Sequence, residues 1–163
     1  MIDRRIEGLT AWYQPIVDLN PGKVVGCEVL SRIVAADGLG GSAAALMNEL
    51  EQEPEVQYAL IRKLLESIRR EIVPIFARHP DFYVSVNIPP SVFGTGRIAP
   101  MLSSLDLDPW RTRLVVELTE RQALCDLGRA AICNARSLGI AVALDDFGTG
   151  HSGLSQFVGL DLD

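Results

Sequence analysis

Long apolar runs are absent from this 163-residue sequence. No stretch approaches the roughly 18 consecutive apolar residues that a membrane-spanning helix needs. The opening Met1-Ile2-Asp3-Arg4-Arg5 is not followed by an apolar signal-peptide core, so the expectation is a cytoplasmic chain with no membrane partner. Cysteine is scarce. Cys27, Cys125 and Cys133 are odd in number and widely spaced, which argues against a disulfide frame or a zinc site and for reduced thiols. Positive charge is short as well: 15 Lys+Arg against 21 Asp+Glu give a net charge of −6. That balance argues against a nucleic-acid polymer as main partner, because such binding runs on cationic side chains. It leaves room for a small anionic ligand, which one arginine and a metal ion could hold. Internal repeats, low-complexity tracts and linkers are also missing. What is there is 48 % apolar and 22 % charged residues, enough to bury the core of one domain spanning 1–163.

Strand-like and helix-like segments alternate along the chain. Residues 12–19 (WYQPIVDL) and 23–30 (KVVGCEVL) read as strands separated by Asn20-Pro21-Gly22. So short a connection predicts an antiparallel hairpin. Residues 35–42 read as a Gly- and Ala-rich loop, and Ser42 as the cap of a short helix over 43–51. Pro54 suits the first turn of a longer helix, in which Val56, Leu60, Leu64, Ile68 and Ile72 recur at helical spacing. Further strands are expected at 82–88, 114–118 and 140–144, with helices near 99–105 and over 120–138. Gly139 is the natural stop of the last helix. This order predicts an α/β fold with a largely parallel sheet.

The polar residues sit at strand ends. Glu28 lies near the end of the second strand and Asn87 near the end of the third. Glu117 and Glu120 close the fourth, and Asp145 and Asp146 follow the fifth. Parallel strands bring their C-terminal ends to one rim, where α/β folds bind ligands. Several carboxylates there would repel one another unless a cation neutralised them. Carboxylate and amide oxygens with no Cys or His beside them suit Mg²⁺ or Mn²⁺. Each residue also has a plainer reading. Glu28 could be solvated on a hairpin, Asn87 could cap a turn, Glu120 could serve a helix N-terminus, and the aspartates could belong to a turn before Gly148. Glu117 is the hardest to explain that way, since a carboxylate within LVVEL is costly to bury unpaired.

Five segments resemble the EAL-domain family of cyclic di-GMP phosphodiesterases. They are Tyr13-Gln14-Pro15-Ile16-Val17, Glu28-Val29-Leu30-Ser31-Arg32, Ser85-Val86-Asn87-Ile88, Glu117-Leu118-Thr119-Glu120 and Asp145-Asp146-Phe147-Gly148-Thr149-Gly150. They follow the family's order across almost the whole chain, and the last run is the most specific. The resemblance implies a TIM-like (β/α) barrel whose first strand is antiparallel. It implies metal-dependent hydrolysis of cyclic di-GMP to the linear dinucleotide. By motif, Glu28, Asn87, Glu117 and Asp145 would hold a first metal ion and Asp146 a second. Glu120 would steady the loop over 147–152, and Gln14, Leu30 and Arg32 would contact substrate, with Arg32 on a phosphate.

Some positions depart from the family pattern. Val29 stands for the central alanine of the signature, Ile33 for a frequent tryptophan, His151 for a common tyrosine and Gly153 for a common serine. His151 reads as a loop surface residue, and His79, at a helix end before Pro80, as a partner of the helix C-terminus or a plain surface residue. The family's later lysine, which helps position or activate the attacking water, is not reached by Asp163. The expectation is therefore a partial barrel with about five of the eight strands. As an isolated chain it would be inactive or nearly so, and would dimerise or take another protein partner to cover an open edge. The alternative is a non-catalytic module that binds cyclic di-GMP or a protein.

Overall fold

The computed structural model describes residues 4–20, 22–34, 40–42 and 53–145. The chain divides into two compact units, Met1–Val84 and Ser85–Asp163. Among the described residues no helix is long and apolar enough to cross a membrane.

In the first unit a 3₁₀ turn, Arg4–Ile6, precedes strands β1 (Leu9–Asp18) and β2 (Lys23–Val34). The two strands pair antiparallel, as the short turn predicts, with Trp12 opposite Leu30 and Gln14 opposite Glu28. The turn closes through Gly22, whose φ of 78° is open to glycine and strained for other residues. Its N–H donates to the Asp18 carbonyl at 2.8 Å. Part of the expected loop over 35–42 is instead a strand, β3 (Gly40–Ser42), antiparallel to β2. Glycines carry no strand signal, so a pairing made by backbone groups alone leaves no trace in the pattern. The helix expected over 43–51 lies outside the described residues.

Helix α1 (Pro54–Glu71) begins on its proline, where a missing N–H costs nothing. Gln57, Leu60, Ile61, Leu64, Leu65 and Ile68 form its buried face, while Arg62 and Glu66 pair on the outside at 3.1 Å. Burial of each such aliphatic side chain contributes roughly 1.5–3 kcal/mol. Lys63 ties the N-terminal turn to this helix by donating to the Ile6 and Glu7 carbonyls at 2.6 and 3.0 Å. A short helix, α2 (Val73–Phe76), follows, with His79 exposed beyond it, as expected. Strand β4 (Tyr83–Asn87) crosses from the first unit to the second. Gly26 of β2 passes close to its start: a Cβ there would lie 2.8 Å from the Tyr83 carbonyl oxygen.

The second unit runs through α3 (Pro90–Phe93), α4 (Ile98–Ser104) and a 3₁₀ turn (Asp108–Arg113) into β5 (Leu114–Thr119). After β5 the single helix expected over 120–138 is two helices, α5 (Glu120–Leu124) and α6 (Asp126–Ser137). Three local features set the two helix starts and the corner between them. Thr119 and Gln122 form a capping box that starts α5. Cys125 has extended backbone, and its sulfur accepts from the Gly128 N–H to start α6. Gly128 packs so tightly on α5 that a Cβ would sit 1.8 Å from the Gln122 carbonyl oxygen. Helix α6 ends as the sequence indicates. Gly139, at φ 69°, donates to the Arg136 carbonyl, and Ile140 donates to that of Ala135, both at 2.9 Å. Strand β6 (Ala141–Asp145) then pairs parallel to β5.

Candidate functional site

The hairpin of the first unit has two unlike faces. Directly opposed residues of an antiparallel pair share a face, and faces alternate along a strand. Leu9, Cys27 and Val29 fall on one face and are buried. Tyr13 shares that face, and burial, followed by the neighbouring Glu71 carboxylate of α1, pushes its phenol well above the ordinary value. The other face carries Thr10, Trp12 and Gln14 from β1, opposite Arg32, Leu30 and Glu28 from β2. All four candidate residues of the hairpin, Gln14, Glu28, Leu30 and Arg32, therefore project from the face away from that apolar layer. Gln14 is exposed, and Glu28, Leu30 and Arg32 are half-buried.

Trp12 is the residue on this face that the motif reading passes over. It is 52 % exposed, and the Arg32 guanidinium carbon lies 6.0 Å from its ring centroid. Arg32 also donates from Nη1 to the Ser31 carbonyl at 3.0 Å. Among the described residues no carboxylate pairs with Arg32. The available signal was the alternation Thr10, Trp12, Gln14, which sets the indole on the polar side of the strand.

The second unit gathers the other candidates at the C-terminal ends of its strands. Leu114, Val116 and Leu118 of β5 are buried, whereas Val115, Glu117 and Thr119 are half-buried on the opposite side. Parallel pairing sets Glu117 beside Ala143 and Thr119 beside Asp145. Glu117 and Asp145 thus occupy one face, with Cα atoms about 8 Å apart from strand spacing and rise. Asn87, the last residue of β4, donates from Nδ2 to Glu117 Oε2 at 3.2 Å. That charge-assisted bond offsets part of the cost of holding a carboxylate away from water. Glu120 is buried at the first position of α5, directly after the capping residue Thr119.

Asp146 and the loop over 147–152, with His151, lie outside the described residues, as does Gly153. Among the described residues no three His, Cys, Asp or Glu side chains cluster as a metal-holding group. The assembled set is two carboxylates on one strand face and an amide. Its all-oxygen chemistry fits a hard divalent cation, and the carboxylates would favour one electrostatically. The three cysteines are free thiols: Cys27 is buried, and Cys125 and Cys133 are exposed.

Comparison with known proteins identifies the family and the fold class. The profile of the EAL domain matches residues 2–163. The Escherichia coli (strain K12) protein PdeB, named a probable cyclic di-GMP phosphodiesterase, is 32 % identical over 156 residues, which is 93 % of this chain and 30 % of PdeB. The solved PaMucR phosphodiesterase in complex with c-di-GMP superposes with a TM-score of 0.80 at 22 % identity, covering 98 % of this chain and 66 % of that one. The Klebsiella pneumoniae BlrP1 complex with manganese and cy-diGMP gives a TM-score of 0.74 at 22 % identity, covering 96 % of this chain and 39 % of BlrP1. The structural likeness establishes the α/β, TIM-like fold class of EAL domains. The chain spans about a third of the length of PdeB, and across nearly all of its own length it belongs to the EAL domain family.

Proposed function

We propose that this chain carries the metal- and nucleotide-holding residues of a cyclic di-GMP phosphodiesterase. The whole protein would hydrolyse one phosphodiester of the cyclic dinucleotide to give the linear one, in the reducing cytoplasm. The observation that carries this reading is the oxygen set of Asn87, Glu117 and Asp145 at adjoining strand ends. Membership of the EAL family and the named activity of PdeB support it. Manganese beside cy-diGMP in BlrP1 supports Mn²⁺ or Mg²⁺ as cofactor.

Residue roles follow by motif. Glu28, Asn87, Glu117 and Asp145 are ligands of a first ion, and Asp146 is a ligand of a second. Glu120 steadies the loop over 147–152. Gln14 and Leu30 flank the substrate, and Arg32 meets a phosphate. When bound, the ions would neutralise charge on the phosphoryl oxygens and make water a stronger nucleophile at neutral pH. Such help is needed here, because a chain of net charge −6 must accept a ligand with two anionic phosphodiesters. The protein's share is to orient and select. The Asn87 amide holds the Glu117 carboxylate in place, and the Arg32 fork matches phosphate oxygens.

The test is cyclic di-GMP binding and hydrolysis by the purified chain in excess Mn²⁺, with Glu28→Ala as control. Metal-dependent binding that the control loses is the expected result, and turnover would place the hydrolytic machinery within this chain. Binding without turnover would favour a nucleotide-binding module. Absence of both would overturn the proposal.

A further inference from the structure

We infer that Trp12 is a positioning residue: its indole ring holds the Arg32 guanidinium on the ligand-facing side of the hairpin, presented to a phosphodiester anion. This rests on the proposed function and adds a residue that the family motifs do not mark. Two observations carry it. Arg32 lies over the Trp12 ring at 6.0 Å, and its Nη1 donates to a neutral acceptor, the Ser31 carbonyl, at 3.0 Å. Neither the ring nor the carbonyl brings a negative charge to the guanidinium. Trp12 is also half exposed on the face that carries Gln14, Glu28 and Leu30. A large aromatic set there, and not on the buried face, gains little from core packing.

The physical logic is preorganisation. An arginine has many rotamers, and ordering one on ligand binding costs affinity. A flat π face orients the planar guanidinium without consuming its N–H donors, whereas a carboxylate would occupy them and cancel the charge. Aromatic contact of this kind at exposed sites corresponds to an effect of about two- to fivefold in affinity.

The experiment measures the dissociation constant for cyclic di-GMP in Mn²⁺ by calorimetry, on the full chain and on variants at both positions. Trp12→Leu keeps apolar bulk but removes the π face, and it should weaken binding about two- to fivefold. Trp12→Phe restores a ring and should recover most of that loss. In an Arg32→Ala background, Trp12→Leu should have no further effect, because residues that act through one another are not additive. Circular dichroism of Trp12→Leu should match that of the unsubstituted chain. Equal losses from Trp12→Leu with and without Arg32 would overturn the inference, since the ring would then act on the ligand by itself. An unchanged affinity in Trp12→Leu would overturn it too, and would leave the proposed function standing. Failure of the unsubstituted chain to bind would instead remove the functional reading, and this inference with it.

Discussion

Asn87 Nδ2 donates to Glu117 Oε2 at 3.2 Å, joining the last residue of β4 to a carboxylate two residues before Thr119, the cap of α5. The bond explains how an acid can sit half-buried within the apolar run LVVEL. It also gives a way to separate charge from shape. Glu117→Gln keeps a carbonyl acceptor for Asn87 and removes the negative charge. Mn²⁺ should raise the melting temperature of the unsubstituted chain, because a ligand that binds only the folded state stabilises it by mass action. The same addition should leave the melting temperature of Glu117→Gln almost unchanged. Asn87→Ala should weaken Mn²⁺ binding by about tenfold or more, on the scale of lost ligand-orienting contacts at metal sites. Equal Mn²⁺ shifts in all three proteins would show that the ion binds elsewhere.

Gly128 sets the corner between α5 and α6. A Cβ there would lie 1.8 Å from the Gln122 carbonyl oxygen and 2.7 Å from its carbon, both backbone atoms that cannot swing aside. Gly128→Ala should therefore destabilise the chain, although alanine is the better helix former. The expected cost is about 3 kcal/mol or more, at or beyond the upper end for overpacking. Urea unfolding would read this as a lower midpoint. A midpoint equal to that of the unsubstituted protein would mean that the two helices can separate freely at this corner.

This corner also shows where sequence reading stops. The hairpin was legible because its turn chemistry, Asn20-Pro21-Gly22, and its strand alternation agree. Helix α1 was legible from Leu60, Leu64 and Ile68, which lie on its buried face. The break at Cys125 was not, because a cysteine sulfur is an unusual cap and Gly128 inside a helical pattern has several meanings. The strand Gly40–Ser42 was hidden because backbone pairing needs no side-chain pattern. Within the site, the acidic and amide residues stood out by chemistry, and the register then set Glu117 and Asp145 on one face. Trp12 did not stand out. An aromatic in a strand reads as core until the register shows which face it takes.

Cys27 offers a test of the hairpin's buried face. It is 5 % exposed, and burial pushes its thiol from an ordinary 9.0 up to about 11. The folded state thus favours the neutral thiol. Below pH 9 both states keep the proton and stability is unaffected. Between pH 9 and 11 the unfolded chain releases a proton that the folded chain retains, so stability falls as pH rises. Above that window Cys27 adds no further slope. Tyr13, raised in the same direction, adds its own loss on the alkaline side. Urea unfolding at a series of pH values should show a plateau up to about pH 9 and a decline beyond it. Cys27→Ala should shift the whole curve by its packing change and flatten the decline between pH 9 and 11. A decline of unchanged slope in Cys27→Ala would show that the thiol is not the group responsible. Thiol reagents at pH 8 give an independent reading: Cys125 and Cys133 should react in the folded chain, and Cys27 only after unfolding.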